Sequence, residues 1–368
     1  MKILADKNIP FVKEAFNVFG DVCTVQGEDI VPEALTGVDI LLVRSVTEVT
    51  ADLLAGSSVK FVGTATIGTD HVDVAHLQEA GIGFASAPGS NANSVAEYVI
   101  SAITSLLPDY AEKKIGIVGV GNVGSAVYKK SAALGMKALL NDPPKARNLS
   151  SFSTLQETLS EADVVTVHVP LTYDGDTSTY GMVNDHFLSS LKPGALFINT
   201  SRGKTLCAEP LLAHAGRLGG YVLDVWPDEP EISNELLSVT RIATPHIAGY
   251  SYDGKCMGTA MISRAAAAFF FQETDWVYEP ERASEATREI DYTPEGGVAA
   301  VVRAAYNIEE DSGKLHKMTS LTGQERVSYF RSLRRSYPQR YEFSHYRVRG
   351  ISSDTHDAKK LRLLGFRL

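Results

Sequence analysis

A chain of 368 residues is too long for a single hydrophobic core, so two or three domains are expected. With 44% hydrophobic and 21% charged residues it is an ordinary folded protein rather than a disordered chain, and three widely spaced cysteines (Cys23, Cys207, Cys256) exclude a disulfide framework and paired metal ligands. The net charge of −9 hides an asymmetry: residues 313–368 hold 13 Lys and Arg against 4 Asp and Glu, leaving 22 basic and 40 acidic residues elsewhere.

The N-terminus, MKILADKNIPF, lacks the apolar stretch of a secretory signal, and a cytoplasmic protein is expected. Short β-branched runs then recur with helix-like stretches between them. The expected strands are KILAD (2–6), DILLVRS (39–45), KFVGTAT (60–66), GIGFASA (81–87), KIGIVGV (114–120), KALLND (137–142), DVVTVHV (163–169), ALFINTS (195–201), YVLDVW (221–226) and RIATPH (241–246). Continuous apolar runs mark strands covered on both faces, and their alternation with helices is the pattern of βαβ units. Ser94 and Glu97 have capping-box spacing and open an expected helix, SVAEYVISAITSLL, that stops before Pro108. The segment AMISRAAAAFFFQ is interrupted by Arg264 and is too short to cross a bilayer, so no membrane partner is expected. Near residues 279–297 charged and turn-forming residues replace the apolar rhythm, and a small α+β unit follows. Its basic residues raise a nucleic-acid reading, but they are interleaved with Leu, Tyr, Phe and Val as in a packed domain, which is preferred.

The strand KIGIVGV runs into Gly119-Val120-Gly121-Asn122-Val123-Gly124 and then a helix-like stretch, and a second strand ends in Asp142, 18 residues after the last glycine. In that context the glycines admit a pyrophosphate to the positive end of the helix, and Asp142 accepts from the ribose, favouring NAD over NADP. Lys145 and Arg147, just downstream, are the cations that would argue the other way. Three charged groups follow the ends of later strands: Arg202, Glu229 and His246. Taken singly each has a structural explanation as a surface charge, a turn residue or a satisfied ring. Together on the ligand-binding edge of a nucleotide fold they supply a bidentate carboxylate ligand, a proton acceptor and a carboxylate that stabilises the charged imidazole.

The motifs GVGNVG, NTSRG, LDVWPDEP and PHIAGY, in this order, resemble the D-isomer-specific 2-hydroxyacid dehydrogenases. The segments VRSVT, KFVGTATIGTDHVD, ASAPGSNANSVAEYV and NDPPK point within it to a branch acting on a phosphorylated 2-hydroxy acid. The resemblance implies an α/β fold of two doubly wound Rossmann-like domains plus a small C-terminal α+β dimerisation domain. The implied boundaries are 1–93 with 252–285 for substrate binding, 94–251 for NAD and 286–368 for a homodimer contact. It further implies that Arg202 binds the substrate carboxylate, Glu229 pairs with the imidazole and His246 exchanges the C2 hydroxyl proton. Asn122, Val123, Asp142, Val169, Asp224 and Gly249 fall on cofactor-contacting positions, joining Gly119, Gly121 and Gly124. Ser45, Thr66 and Tyr250 fall on substrate-contacting positions. Arg44 joins them as a candidate phosphate donor, because a cation and short hydroxyls suit a dianion. No metal is expected. A dehydrogenase of 3-phosphoglycerate or glycerate, and a nucleotide-sensing binding module, remain the alternatives.

Overall fold

The computed structural model describes residues 1–146, 151–279 and 288–368, so Arg147 and the expected boundary at 285/286 fall outside the described residues. The chain divides into two compact units, Met1–Asn91 with the described residues of Ser251–Glu285, and Ala92–Tyr250 with those of Ala286–Leu368.

The first unit is built on a five-stranded parallel sheet of β1 (Lys2–Asp6), β2 (Asp21–Val25), β3 (Ile40–Val43), β4 (Phe61–Thr64) and β5 (Gly83–Ala85), in the order β2-β1-β3-β4-β5. β3 and β4 are buried at every residue, as strands sandwiched between helices must be. The helix Tyr252–Phe269 returns to this sheet and buries Ile262 and Ala266 against Ile3, Ile40 and Phe61. β2 has no counterpart among the expected strands. It is a short edge strand, DVCTV, with two residues exposed and none fully buried, so it lacks the apolar run by which the central strands were read.

The second unit holds six parallel strands, β6 (Lys114–Val118), β7 (Lys137–Asn141), β8 (Val164–Val167), β9 (Leu196–Asn199), β10 (Gly220–Leu223) and β11 (Thr240–Ala243), in the order β11-β10-β9-β8-β6-β7. The chain winds one way from β6 to β7 and the other way from β8 to β11. The crevice at the carboxyl ends of β6 and β8 is therefore the switch point where such sheets take ligands. Beyond the gap in the described residues, β12 (Arg288–Asp291) and β13 (Tyr346–Arg349) pair in parallel and are accompanied by helices Gly297–Ala305, Ile308–His316, Gly323–Arg335 and His356–Leu364. Val298, Val301, Phe343, Leu361 and Leu364 of this region share one apolar core with Val95, Val99, Ile103, Val127 and Leu134.

The capping box expected at Ser94 and Glu97 does not form. The helix begins at Ala92, both residues are buried inside it, and it ends at Leu106 before Pro108. Ser94 donates instead to the Ala248 carbonyl (2.9 Å), and Glu97 accepts from the Phe343 N–H (3.1 Å). Tertiary partners unavailable to a sequence window thus replace the local cap. Lys130 Nζ lies 3.3 Å from Glu97 Oε1. Burial pushes the Glu97 carboxyl up to about 8 against the pull of that lysine. Because the folded state then holds a proton that the unfolded chain releases above its ordinary value, stability should fall as pH rises from about 4.5 to about 8, by at most about 1.4 kcal/mol per pH unit. Melting curves of wild type and Glu97→Gln across pH 5–9 check this; the variant should lack that slope.

Candidate active site

β6 delivers the chain into Gly119, whose φ of 88° is a left-handed conformation costly for any side-chain-bearing residue, and a Cβ there would stand 2.6 Å from the His168 carbonyl. Gly121 caps the twelve-residue helix Asn122–Ala133, and a Cβ at Gly121 would meet nothing within 4 Å. Gly124, in the first turn, lets the helix sit against the strand, since its Cβ would come 2.0 Å from the Gly119 carbonyl. The helix thus presents the backbone N–H groups of Asn122 and Val123 at its positive end beside open space, the arrangement that receives a pyrophosphate. Asn122 is exposed and Val123 half-buried. Asp142, one residue past β7, accepts from the Val120 N–H (2.9 Å) and the Lys145 N–H (3.2 Å), so its carboxylate stands at the loop. Lys145 donates its ammonium to the Val120 carbonyl, so it is committed to the loop backbone. Val169 follows β8, and its Cγ1 stands 2.9 Å from where a Gly119 Cβ would be. These residues fit a dinucleotide: small where backbone must approach phosphate, acidic where a ribose must be held.

Arg202 follows β9 and Asp224 follows β10, while Glu229 and His246 lie in the loops after β10 and β11. Strands in one sheet are spaced about 4.8 Å apart, so β9 and β11 are separated by roughly 10 Å with β10 between them. Gly203 allows the Arg202 loop to press on the next one, because a Cβ there would lie 1.7 Å from the Trp226 carbonyl. Trp226 in turn donates from Nε1 to the Thr244 carbonyl (2.9 Å), tying the loop after β10 to the end of β11. Ser201 and Thr205, bonded to Asn199, brace the Arg202 backbone from the other side.

His246 has a φ of 57°, a left-handed conformation that costs a residue with a side chain roughly 1–3 kcal/mol. Asp224 holds it there. Its backbone carbonyl accepts from the His246 N–H (2.8 Å), and its carboxylate accepts from the N–H groups of Ile247 (2.8 Å) and Ala248 (2.9 Å) and from Thr244 Oγ1 (2.6 Å). Burial raises the pKa of this nearly inaccessible carboxyl, opposed by His246 and these donors. In the structure Asp224 is the anchor of the histidine loop, a role the sequence did not suggest. Glu229 Oε1 lies 2.9 Å from His246 Nδ1, and its Oε2 is buried with no hydrogen-bond partner among the described residues. An imidazole that donates from Nδ1 to a carboxylate keeps its Nε2 lone pair to accept a proton, and the carboxylate stabilises the resulting charge. Gly249 lies in the following turn, closed by the Tyr250 N–H on the Ile247 carbonyl (2.8 Å).

In the first unit, Arg44 donates from Nε to the buried Asp6 (2.9 Å), which also accepts from Asn8. Ser45 is the next residue, at the carboxyl end of β3, and Thr66 follows β4 with its hydroxyl on Thr64 (2.7 Å) and the Gly68 carbonyl (3.1 Å). All three stand at the carboxyl edge of that sheet.

Sequence reasoning missed several residues around the loops that follow β8 to β11. His168 bridges Thr166 (2.9 Å) and Thr200 (3.1 Å), and burial lowers its pKa to about 3, so it is a neutral strut. Tyr98 reaches Thr244 (2.7 Å). Arg340 Nη2 donates to the Ala248 carbonyl (2.6 Å), and Arg334 Nη2 to the Tyr250 hydroxyl (3.0 Å). No local signal marks these last two; they sit in the basic stretch that read as part of a small packed domain. Among the described residues no cluster of His, Cys, Asp and Glu is arranged to hold a metal, and no helix is long and apolar enough to cross a membrane.

Residues 93–248 match the family model described as the D-isomer specific 2-hydroxyacid dehydrogenase NAD binding domain, and residues 280–365 match a domain of unknown function, DUF3410. Over its full length the chain is 42% identical to the erythronate-4-phosphate dehydrogenase of Klebsiella pneumoniae (strain 342) and 41% identical to that of Salmonella arizonae, covering 98% of each. Among solved structures it resembles D-lactate dehydrogenase from Aquifex aeolicus complexed with NAD and lactic acid (TM-score 0.61, 24% identity, 74% of this chain and 96% of that one). It also resembles cofactor (NAD+)-bound 3-phosphoglycerate dehydrogenase of Entamoeba histolytica (TM-score 0.63, 24% identity, 74% and 95%). At that identity the solved structures establish the fold.

Proposed function

The chain belongs to the erythronate-4-phosphate dehydrogenase family, and from that membership we propose that it oxidises the C2 hydroxyl of 4-phospho-D-erythronate to the 2-oxo acid with NAD, a step in the formation of pyridoxal 5′-phosphate. The observation that supports this most directly is the pair formed by Glu229 and His246 on the same sheet edge as the glycine loop. NAD, held by the glycine loop and Asp142, supplies the hydride acceptor. Arg202 forms two parallel hydrogen bonds to the substrate carboxylate and orients C2. His246 Nε2 takes the hydroxyl proton as the C–H bond breaks, and Glu229 stabilises the imidazolium. Water or a second base is then not needed at C2. Val169, Asp224 and Gly249 contribute packing and backbone contacts on the cofactor side. Ser45, Thr66, Tyr250 and Arg44 serve the substrate, with the guanidinium of Arg44 beyond Nε offered to the phosphate.

Assay of the purified protein against 4-phosphoerythronate, 3-phosphoglycerate and glycerate, each with NAD and NADP, tests substrate and cofactor together. Turnover should be confined to the first acid with NAD; a preference for either of the others would replace the substrate, and no turnover at all would favour a nucleotide-sensing module. Arg202→Lys should lower kcat/KM by about 10–100-fold, since a point charge cannot reproduce paired donation worth about 1.5–3 kcal/mol. Wild-type constants in that variant would remove the carboxylate role.

The protein works, on this reading, as a cytoplasmic homodimer joined through residues 286–368. Three free cysteines suit a reducing compartment. Light scattering should return about twice the 39.8 kDa chain mass.

A further inference from the structure

The basic stretch of residues 313–368 has no part in the chemistry above, yet its arginines do not all face water. Arg340 is nearly inaccessible, with its guanidinium 4.4 Å over the Tyr306 ring, and it donates from Nη2 to the Ala248 carbonyl and to Ser94. Arg334 donates to the Tyr250 hydroxyl, whose ring meets Tyr337 edge-on at 6.0 Å. Ser312 accepts from the Ala243 N–H (3.0 Å) where β11 ends. Ala243, Ala248 and Tyr250 bracket His246 on both sides along the chain. A fourth contact reaches the other member of the pair: Arg326 Nη2 donates to the Ile232 carbonyl (2.6 Å), three residues beyond Glu229.

These contacts have a shared logic. His246 is held in an unfavourable backbone conformation, and a loop under such strain relaxes unless its surroundings over-determine it. Asp224 secures the loop from the sheet side through the N–H groups of residues 246, 247 and 248. The C-terminal region secures it from the opposite polarity, Arg340 donating to the Ala248 carbonyl and Arg334 to the Tyr250 hydroxyl, both charge-assisted. We propose that the C-terminal region is a positioning clamp for the Glu229–His246 pair, with Arg340 and Arg326 as its positioning residues, acting on the histidine loop and the glutamate loop respectively. The inference rests on the dehydrogenase reading for its kinetic consequence, though not for the clamp itself. It assigns the region matched as a domain of unknown function a task within its own chain, separate from any subunit contact.

The test uses the full-length protein and the variants Arg340→Met, Arg340→Lys and Arg326→Met. Hydrogen exchange read by mass spectrometry should show the amides of residues 246–250 exchanging at least tenfold faster in Arg340→Met, while those of residues 114–124 stay at wild-type rates. The kcat should fall at least tenfold with NADH affinity within twofold of wild type. Arg340→Lys, which keeps the positive charge and one donor nitrogen, should recover part of both effects. If Arg340→Met does not fold, Arg326→Met, on a half-buried side chain, decides: slower turnover with NADH affinity kept supports the clamp. Exchange and kcat at wild-type values in the folded variants overturn it, as does faster exchange spread evenly over β6–β8 with turnover per folded molecule intact. Wild-type protein inactive on every 2-hydroxy acid would instead overturn the functional reading, and the exchange measurement would still decide the clamp.

Discussion

Replacing His246 with asparagine is expected to lower kcat by roughly 10²–10⁴-fold, the usual worth of a positioned general acid–base group. Asparagine is the informative substitution because it tolerates the left-handed backbone found at this position, with its φ of 57°, better than alanine would. The N–H bonds from residues 246, 247 and 248 to Asp224 are all made by backbone, so they survive the change. The glycine loop belongs to β6, on the far side of β8 and β9 from this loop, so NAD affinity should stay within a few-fold of wild type. Stopped-flow turnover together with NADH fluorescence titration checks both halves. Undiminished turnover would remove the histidine from the chemistry, and lost nucleotide binding would show that the variant had disturbed more than the proton acceptor.

The second large effect is expected at the glycine loop, where two substitutions of the same size should fail for different reasons. In Gly124→Ala the new methyl carbon would lie 2.0 Å from the Gly119 carbonyl, a backbone atom that cannot swing aside. The helix must back away from β6, so melting temperature and NAD affinity should fall together, the latter by about 100-fold or more, equivalent to about 2.7 kcal/mol. In Gly121→Ala the methyl meets no protein atom within 4 Å, so the protein should melt as wild type does. The space it enters is the one a pyrophosphate would use, and NAD affinity should still drop by roughly tenfold or more. Calorimetric titration with NAD beside thermal melts separates the two. Wild-type affinity in both variants would mean that this loop is not the cofactor cradle.

Much of the site was legible because its signals are local. Strand, glycines, helix and the acid at Asp142 all fall within one βαβ unit, and each element is specified by neighbours a few residues away. Arg202, Glu229 and His246 were legible as types and as strand-end positions, but their partnership was not, since 17 residues and a strand separate the acid from the imidazole. The reading failed where a local motif had a stronger distant competitor. Ser94 and Glu97 have the spacing of a cap, yet their bonds go to Ala248 and to Phe343, 246 residues beyond Glu97. β2 failed for the opposite reason: an edge strand buries too little to carry an apolar signature.

By itself, then, the sequence determined the alternation of strands and helices, the glycine-rich turn and the residue types at the strand ends, because hydrophobic periodicity and turn chemistry act over short stretches of chain. Only the tertiary structure decided that Asp224 anchors the histidine loop, that Arg44 leans on Asp6, and that arginines from the basic tail turn inward onto backbone carbonyls. Those pairings depend on which strands become neighbours and which charges lose their water. A buried cation must find an acceptor wherever the fold brings one, at any distance along the chain.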